Sequence, residues 1–521
     1  MELILAFLAG AVVGSLCGYD RLIFKGKLRQ LYGPEGMHCL FSANHVLRKD
    51  FESYTTSITD KVLAASLEKE AIQLGCFRYL ASVNTDKDAV ARAFAAERKV
   101  RQGLVCVLKC VEPCWTFVLN SVNKMLVIQG KERRCAHLYH YYLHPVFGWC
   151  YVRLQTWFPF EVQIYINGRE WLCRHMDQQE LHYTRSDNKI LHVDDWQQAQ
   201  SLLDRQRQFD WASALNAMVG QVHPLHPRHL GNLPLDYSWT NTQCEWASDF
   251  VFADANDLHR RMQTWLHHGM SNFHGLEVMR FLKLQPRTGE IRTELRDVGE
   301  GLRLKHWVER NSLKMYNHAN ILRVESTINH PDVFKTYRAK ETDPEGPKDW
   351  RMVRRGVADM AARADVGQAA NERYVQALIA VASKTTLQEL VEPFCQRVQE
   401  PGNTSRHVRA LNPLSAQDAQ LLQIVSDPKW SLSGIRNRDI VARLYPAPAA
   451  NAHEQRSRSA RVTRLLRLLR GHGIMEKVPH THRYQLSEPK RANVQAVLLA
   501  RDSSPDRLAT CKNVVSCGES H

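Results

Sequence analysis

The chain has few acids for its bases, no dense cysteine framework and no apolar run of membrane-spanning length, and each shortage closes off a class of protein. Its 54 Asp and Glu stand against 69 Lys and Arg, a formal net charge of +15. That excludes an acidic solvating protein and favours polyanionic partners. Thirteen Cys, an odd number scattered through 521 residues, exclude a small disulfide-stapled secreted scaffold and fit reduced thiols in a cytoplasmic setting. The longest apolar stretch, Leu3 to Gly18, has roughly 16 residues where about 20 are needed to span. It carries Glu2 and no Lys or Arg ahead of it and holds Gly10 and Gly14 inside. It reads better as a helix packed on a following strand, Arg21 to Leu28, than as a signal or anchor, so a membrane is not an expected partner. Also missing are a P-loop, a dinucleotide fingerprint after a strand, a G-x-S-x-G elbow, an H-E-x-x-H pair and an internal repeat.

What is present is the composition of folded protein: 44% hydrophobic residues, 9% aromatics, 26 Gly and 20 Pro. One core rarely organises more than roughly 250–300 residues, so about three to four domains are expected. The expected fold class is α+β multidomain, with two antiparallel strand-rich blocks, helical insertions and a C-terminal winged helix-turn-helix. The regions are 1–102 (α/β), 103–235 (antiparallel sheet plus helices), 236–341 (helical segment and β-meander), 349–400 (helical), 404–490 (winged helix) and 491–521 (tail).

Thr59 to Leu74 and Asp86 to Arg101 carry apolar residues near a 3.6 period and predict helices. From Gly103 to Ile166 the chain turns to β-branched and aromatic runs, Leu104–Leu108, Trp115–Leu119, Lys124–Ile128, His137–Leu143, Trp149–Trp157 and Glu161–Ile166. Asn123, Gly130, the Pro145 to Gly148 turn and Pro159 punctuate them. Helices are expected over Arg169 to Met176, Trp196 to Met218 and Ala255 to Leu284. A second strand block, Glu290 to Arg338, contains the meander Leu302–Val308, Ser312–Tyr316 and Ile321–Ile328. Thr342 to Lys348 reads as a linker, Met352 to Gln399 as helical, and Glu400 to Thr404 as another boundary.

Thr404 to Lys490 holds 15 Lys or Arg against 6 Asp or Glu, most of the net charge. Helices are expected over Ala416 to Val425, Arg438 to Tyr445 and Glu454 to Arg470, followed by strands Ile474–Val478 and Arg483–Leu486. At 100° per residue the third helix gathers Val462, Leu465, Leu466 and Leu469 on one stripe and Arg456, Arg461, Arg464, Arg467 and Arg470 on the opposite half. The apolar stripe docks the helix; the arginines face phosphates and guanine edges, with Lys477, His480, His482 and Arg483 of the hairpin adding backbone contacts. The order of elements resembles a winged helix-turn-helix. Leu469-Arg470-Gly471-His472-Gly473-Ile474 and Arg483-Tyr484-Gln485-Leu486 resemble the helix-to-wing junction of bacterial regulators of the MarR type.

Candidate chemistry sits in both strand blocks. Lys314 and Tyr316 share a face with Arg323 and Glu325 on neighbouring strands. Glu325 is a candidate ligand for Mg²⁺ or Mn²⁺, Lys314 and Arg323 would neutralise a scissile phosphate, and Tyr316 is a candidate nucleophile. Cross-strand ion pairing explains the same residues structurally. The pattern resembles the Tyr-Asp-Lys and Arg-x-Glu strands of replication initiators from filamentous phages and rolling-circle plasmids, although Asn317 and His318 stand where that family has Asp and Lys. His137 and His140 in the first block raise a metal site, which on a regular strand needs a bulge or Glu170 because they face opposite ways. Tyr139 and Tyr141 suit core packing or stacking on single-stranded bases. Cys106, Cys110 and Cys114 recur every four residues with Cys135 downstream and raise a zinc site, but zinc ligands come as closely spaced pairs on a turn while the first two here share a face of an expected strand, so they read as buried reduced thiols. Glu112 reads as structural, and Glu245, Asp249, Asp194 and Asp195 are carboxylates with no partner visible in the sequence.

Gly18-Tyr19-Asp20-Arg21, Cys110-Val111-Glu112-Pro113-Cys114 and Asn167-Gly168-Arg169-Glu170-Trp171 resemble segments of a large uncharacterised bacterial family with a MarR-like C-terminus, over most of the chain. That resemblance implies no established activity. The expected function is a DNA-binding protein, in the manner of a mobile element's replication initiator or transposase, with metal-dependent nicking or strand transfer as its candidate activity. A non-enzymatic winged-helix regulator with a large sensor or assembly region is the alternative, and an RNA-binding protein a third. No heptad marks a dimer helix, and the oligomeric state stays open.

Overall fold

A computed structural model describes residues 8–501 except 9, 67, 123, 224–234, 274, 285–290, 299–300, 341–342, 344–345, 380–390, 401–402, 428–429, 431–433 and 479–480. The fold is mixed α/β around one large sheet. By compactness the chain divides into two units: Leu8–His259 with Glu294–Asn371, and the described parts of Arg260–Thr293 with Glu372–His521.

The first unit opens with β1 (Val12–Leu28). Helices α1 (Pro34–Ala43), α2 (Phe51–Ala65) and α3 (Glu68–Gln73) lead to β2 (Phe77–Leu80) and α4 (Lys87–Glu97). A long hairpin of β3 (Gly103–Val122) and β4 (Met125–His144) precedes β5 (Gly148–Gln155) and β6 (Val162–Asn167). Next come α5 (Gly168–Gln178), the small hairpin β7 (Tyr183–Ser186) and β8 (Lys189–Val193), α6 (Trp196–Asp204), α7 (Trp211–Val222) and β9 (Tyr237–Phe252). The chain leaves this unit after His259 within α8 (Ala255–Asn272), passes through α9 (Gly275–Phe281) of the second unit, and resumes its strands as β10 (Ile291–Val298), β11 (Gly301–Val308), β12 (Asn311–His318) and β13 (Ile321–Thr327). β14 (Lys335–Arg338), β15 (Asp349–Met352) and α10 (Met360–Ile379) follow.

The two strand-rich blocks are not separate sheets. They form one eleven-stranded sheet in the order β10-β11-β12-β13-β9-β1-β6-β5-β4-β3-β2. Every pair from β11 to β3 is antiparallel, and β2 joins β3 in parallel. The seam is β1, which pairs with β9 from Val12 to Leu28 and with β6 from Arg21 to Gly26. A helix over Leu3 to Gly18 is therefore corrected for residues 12–18, which are strand, while 3–7 and 9 lie outside the described residues. Leu22 and Phe24 on β1, Ile164 and Ile166 on β6, and Val152 and Leu154 on β5 are fully buried on one face, where Trp211 of α7 stacks on Phe24 at 5.2 Å.

Other boundaries move for local reasons. The expected runs Leu104–Leu108 and Trp115–Leu119 are one strand, β3, and the expected break at Gly130 falls inside β4, which pairs with it on both sides; Gly130 leaves the space that the Trp115 indole fills. The helix expected over Thr59 to Leu74 is split between α2 and α3, and the one over Trp196 to Met218 stops at Asp204 and restarts where Asp210 caps α7. The expected linker at Thr342 to Lys348, of which 342, 344 and 345 lie outside the described residues, connects β14 to β15, which pair with each other. Among the described residues of the 352–399 region the helix is α10, with a 3-10 turn before it at Val357–Asp359; 349–352 and 398–400 are strand, and 380–390 lie outside the described residues.

In the second unit, β16 (Val398–Glu400) and β17 (Asn403–Val408) form a hairpin, followed by α11 (Ala416–Ser426), α12 (Asn437–Leu444) and α13 (Ala452–Gly471). The hairpin β18 (Met475–Lys477) and β19 (Tyr484–Leu486) comes next, then α14 (Glu488–Arg501), a helix where a tail was expected; 502–521 lie outside the described residues. Leu421, Leu422, Ile440, Val462, Leu466, Leu469, Ile474 and Val497 share its core. Among the described residues no helix is long and apolar enough to cross a membrane, which says nothing of a β-barrel.

Candidate functional site

The site begins with a bulge. The β1–β9 register runs Tyr19 opposite Trp246 and then Leu22 opposite Cys244, so Asp20 and Arg21 together oppose the single residue Glu245. A bulge of this kind re-aims side chains and interrupts the ladder locally. It places a charged pair in the middle of β1, between the buried Tyr19 and Leu22.

β9 and β13 bring the rest. Arg323 pairs with Asp249 across the strands and also across its guanidinium: Nε donates to Oδ1 at 2.5 Å and Nη2 to Oδ2 at 2.8 Å. The same guanidinium reaches Asp20 Oδ2 at 3.2 Å and the carbonyl of Asn188 at 3.0 Å. Asn188 Nδ2 donates to the other Asp20 oxygen at 2.6 Å. Arg169 of α5 closes the chain of charges, donating to the Ala247 carbonyl at 3.1 Å and lying 2.9 Å from Asp249 Oδ2. α5 is held there by its own cap: Asn167 accepts from the amides of Arg169 and Glu170, and Gly168 lies so close that a Cβ would stand 2.2 Å from the Tyr19 carbonyl oxygen.

Beside this network lie three carboxylates, Asp20, Glu245 and Glu325, each offering an oxygen within 4.8 Å of the others'. Lys314 Nζ is 2.5 Å from Glu325 Oε1, as the β12–β13 register dictates, and Arg21 Nε is 3.7 Å from Glu245 Oε2. Glu245 Oε1 accepts from Gln243. Glu325 Oε2 is buried and accepts no hydrogen bond among the described residues. Burial first, and then the Glu245 carboxylate, push the Glu325 carboxyl up to about 8 against the pull of Lys314. Asp20 behaves oppositely: burial raises it, but Arg323, Arg21 and Arg169 outweigh burial and hold it below its ordinary value.

All four residues expected to be catalytic meet here. Tyr316 stands opposite Arg323 as Lys314 stands opposite Glu325. The face they share is covered, not open as alternation implied: Tyr316 is 5% exposed and Arg323 and Glu325 are 0% exposed. Burial pushes the Tyr316 hydroxyl above its ordinary range, although the ammoniums of Lys189 and Lys314 lie 5.7 and 5.8 Å from its ring centre. A phenol so desolvated is a poor nucleophile.

Of the two expected metal sites, the ligand Glu325 has carboxylate neighbours, whereas His137 and His140 do not come together. Glu325 belongs with Asp20 and Glu245, and His137 with Cys114 and Cys135. His140 points to the opposite face of β4, fully buried, with Nδ1 3.3 Å from the Val152 carbonyl. Glu170 is engaged by Arg185. Tyr139 and Tyr141 are buried and present no stacking surface; the Tyr139 hydroxyl donates to Glu112, which Arg153 and Lys87 also bind. Asp195 caps α6, and Asp194 lies beside His192 at the surface.

The second unit carries the basic helix. On α13, Val462, Leu466 and Leu469 are buried and Leu465 half-buried, while Arg456, Arg461, Arg464, Arg467 and Arg470 are exposed. Leu468, which the stripe did not include, is buried as well. Arg461, Arg464 and Arg467 line an open cleft of about 1010 Å³ with His407, Arg409 and Tyr445. Lys477 is exposed on β18 and Arg483 half-buried before β19; His480 lies outside the described residues.

Asp20, Arg21 and Arg169 escaped identification as site residues, and Glu245 and Asp249 had no assigned partners. The available signal was the charged pair Asp20-Arg21 set between Tyr19 and Leu22-Ile23-Phe24. Compared with known proteins, the chain matches no family model, no curated protein and no solved structure.

Proposed function

We propose that the chain is a DNA-binding protein that cleaves phosphodiester bonds in nucleic acid at the Asp20, Glu245 and Glu325 cluster, in the manner of a mobile element's initiator or transposase. The observation that carries this reading is the convergence of three carboxylates within 4.8 Å, one with a buried oxygen that has no hydrogen-bond partner among the described residues, beside Lys314 and Arg21. An all-oxygen, acid-rich donor set suits a hard divalent cation, Mg²⁺ or Mn²⁺. Such a cation would lower the pKa of a bound water and neutralise charge on a phosphoryl oxygen. Lys314 and Arg21 would face the phosphate, Arg323 and Arg169 would fix Asp20 and Asp249, and water rather than Tyr316 would attack. Residues 404–490 would form the winged helix-turn-helix, with α13 presenting Arg461, Arg464 and Arg467 to a duplex and the β18–β19 hairpin as the wing.

The test uses the full chain on duplex and single-stranded DNA, with and without Mg²⁺ or Mn²⁺. Metal-dependent cutting that Glu325→Gln and Asp20→Asn abolish, while Tyr316→Phe retains it and all three bind DNA as before, supports the reading. One feature favours a second reading: Arg323, Asp249, Asp20 and Arg169 are buried and mutually paired, as a purely structural network would be. Duplex binding with steep salt dependence and no cutting would leave a winged-helix regulator. Binding of RNA in preference to both DNA forms would replace each of these with an RNA-binding protein.

A further inference from the structure

The middle of the β3–β4 hairpin holds a second cluster that the phosphodiester reading does not use. In the register of these strands Cys114 stands opposite Arg133 and Cys135 opposite Glu112, so the two cysteines are diagonal neighbours on one face. His137, two residues beyond Cys135, lies on that same face. The two Sγ atoms are 2.9 Å apart, and Cys135 Sγ is 4.0 Å from His137 Nδ1. One donor atom from each of the three residues lies within 4.8 Å of the other two.

The surroundings suit a cation. His137 is fully buried; its Nδ1 lies 3.1 Å from the Cys135 carbonyl, and its Nε2 has no hydrogen-bond partner among the described residues. Nδ1 is the nitrogen beside the sulfurs, so as a metal ligand it would exchange its contact with the Cys135 carbonyl for the cation and leave the proton on Nε2. Cys114 and Cys135 are only half-buried, so solvent reaches the cluster. Two thiols and an imidazole form a soft to borderline set, unlike the oxygen-only set of Asp20, Glu245 and Glu325, and the two clusters select different ions.

We propose that Cys114, Cys135 and His137 bind one thiophilic divalent cation of the zinc class, with water as the fourth ligand. Binding releases the thiol protons and leaves both sulfurs as thiolates, so no oxidant enters. The cation ties β3 to β4 at their midpoint.

The full-length chain, purified under reducing conditions without chelator, is assayed for bound metal by mass spectrometry, and its cysteines are alkylated with iodoacetamide with and without Zn²⁺. About one zinc per chain is expected. Zinc should protect Cys114 and Cys135 from alkylation, and a chelator should expose them, while the exposed Cys39 and Cys395 react throughout. Cys135→Ser and His137→Gln should each weaken zinc affinity by about tenfold or more. The alkylation pattern is read on the natural chain, so it decides even where a variant does not fold. The proposal is overturned if zinc leaves the reactivity of Cys114 and Cys135 unchanged, or if peptide mapping of the reduced-purified protein finds them joined in a disulfide.

Discussion

Replacing Arg323 with Met would leave Asp20 and Asp249 buried without the guanidinium that binds both. Removing one partner of a buried ion pair costs about 3–5 kcal/mol, because the orphaned charge stays out of water. Urea unfolding of Arg323→Met should show that loss. Arg323→Lys should recover little of it, since an ammonium cannot bridge Asp249 with two parallel bonds and still reach Asp20. His140 makes a separate statement about pH. Burial pushes its imidazole down to about 4 from the ordinary 6.5. Between those values the unfolded chain binds a proton that the folded chain refuses, so stability is full above about pH 6.5 and falls as pH drops toward 4. A shift of this size is worth about 3 kcal/mol. In His140→Leu the difference in unfolding free energy between pH 7 and pH 5 should shrink; an unchanged difference would show that other groups govern the acid limb.

At the scale of elements, the position of α5 depends on its first residue. Gly168 lies against the Tyr19 carbonyl at the bulge, so Gly168→Ala drives a Cβ into backbone that cannot rotate away. The expected cost is about 1–3 kcal/mol or more, with α5 and Arg169 displaced from Asp249. A denaturation midpoint equal to that of the natural chain would show that the junction yields freely. The same junction explains why the site was only half legible. The meander β11–β13 could be read from alternation, because Lys314, Tyr316, Arg323 and Glu325 are close in sequence and a short turn fixes their register. Asp20, Asp249 and Arg169 reach them through the β1–β9 and β9–β13 pairings and the cap of α5, across separations of 74 to 303 residues for the bonds to Arg323. Periodicity within a window carries no information about such pairings. The bulge at Asp20-Arg21 is invisible for a related reason: it is a mismatch between two strands and has no signature in either alone.

Over the whole molecule, charge is uneven. Residues 404–490 hold a surplus of 9 of the net +15, from 15 bases less 6 acids. If α13 is the duplex-binding element, log K against log salt for the full chain should be steep, and the double variant Arg461→Ala, Arg464→Ala should flatten the slope by about 2 while weakening all sequences alike. An unaltered slope would move the DNA contacts elsewhere on the surface. The local chemistry can be read from the chain alone: the apolar stripe and arginine face of α13, the alternation of β12 and β13, the basic balance, and the α/β character. These follow from side-chain type and short-range geometry. The folded chain alone reveals that two strand-rich blocks are one sheet, that His137 keeps company with two cysteines while His140 packs on the opposite face, and that the shared face of β12 and β13 is covered. Those outcomes depend on which strands pair across long loops, and many pairings bury comparable apolar area until the whole sheet is assembled.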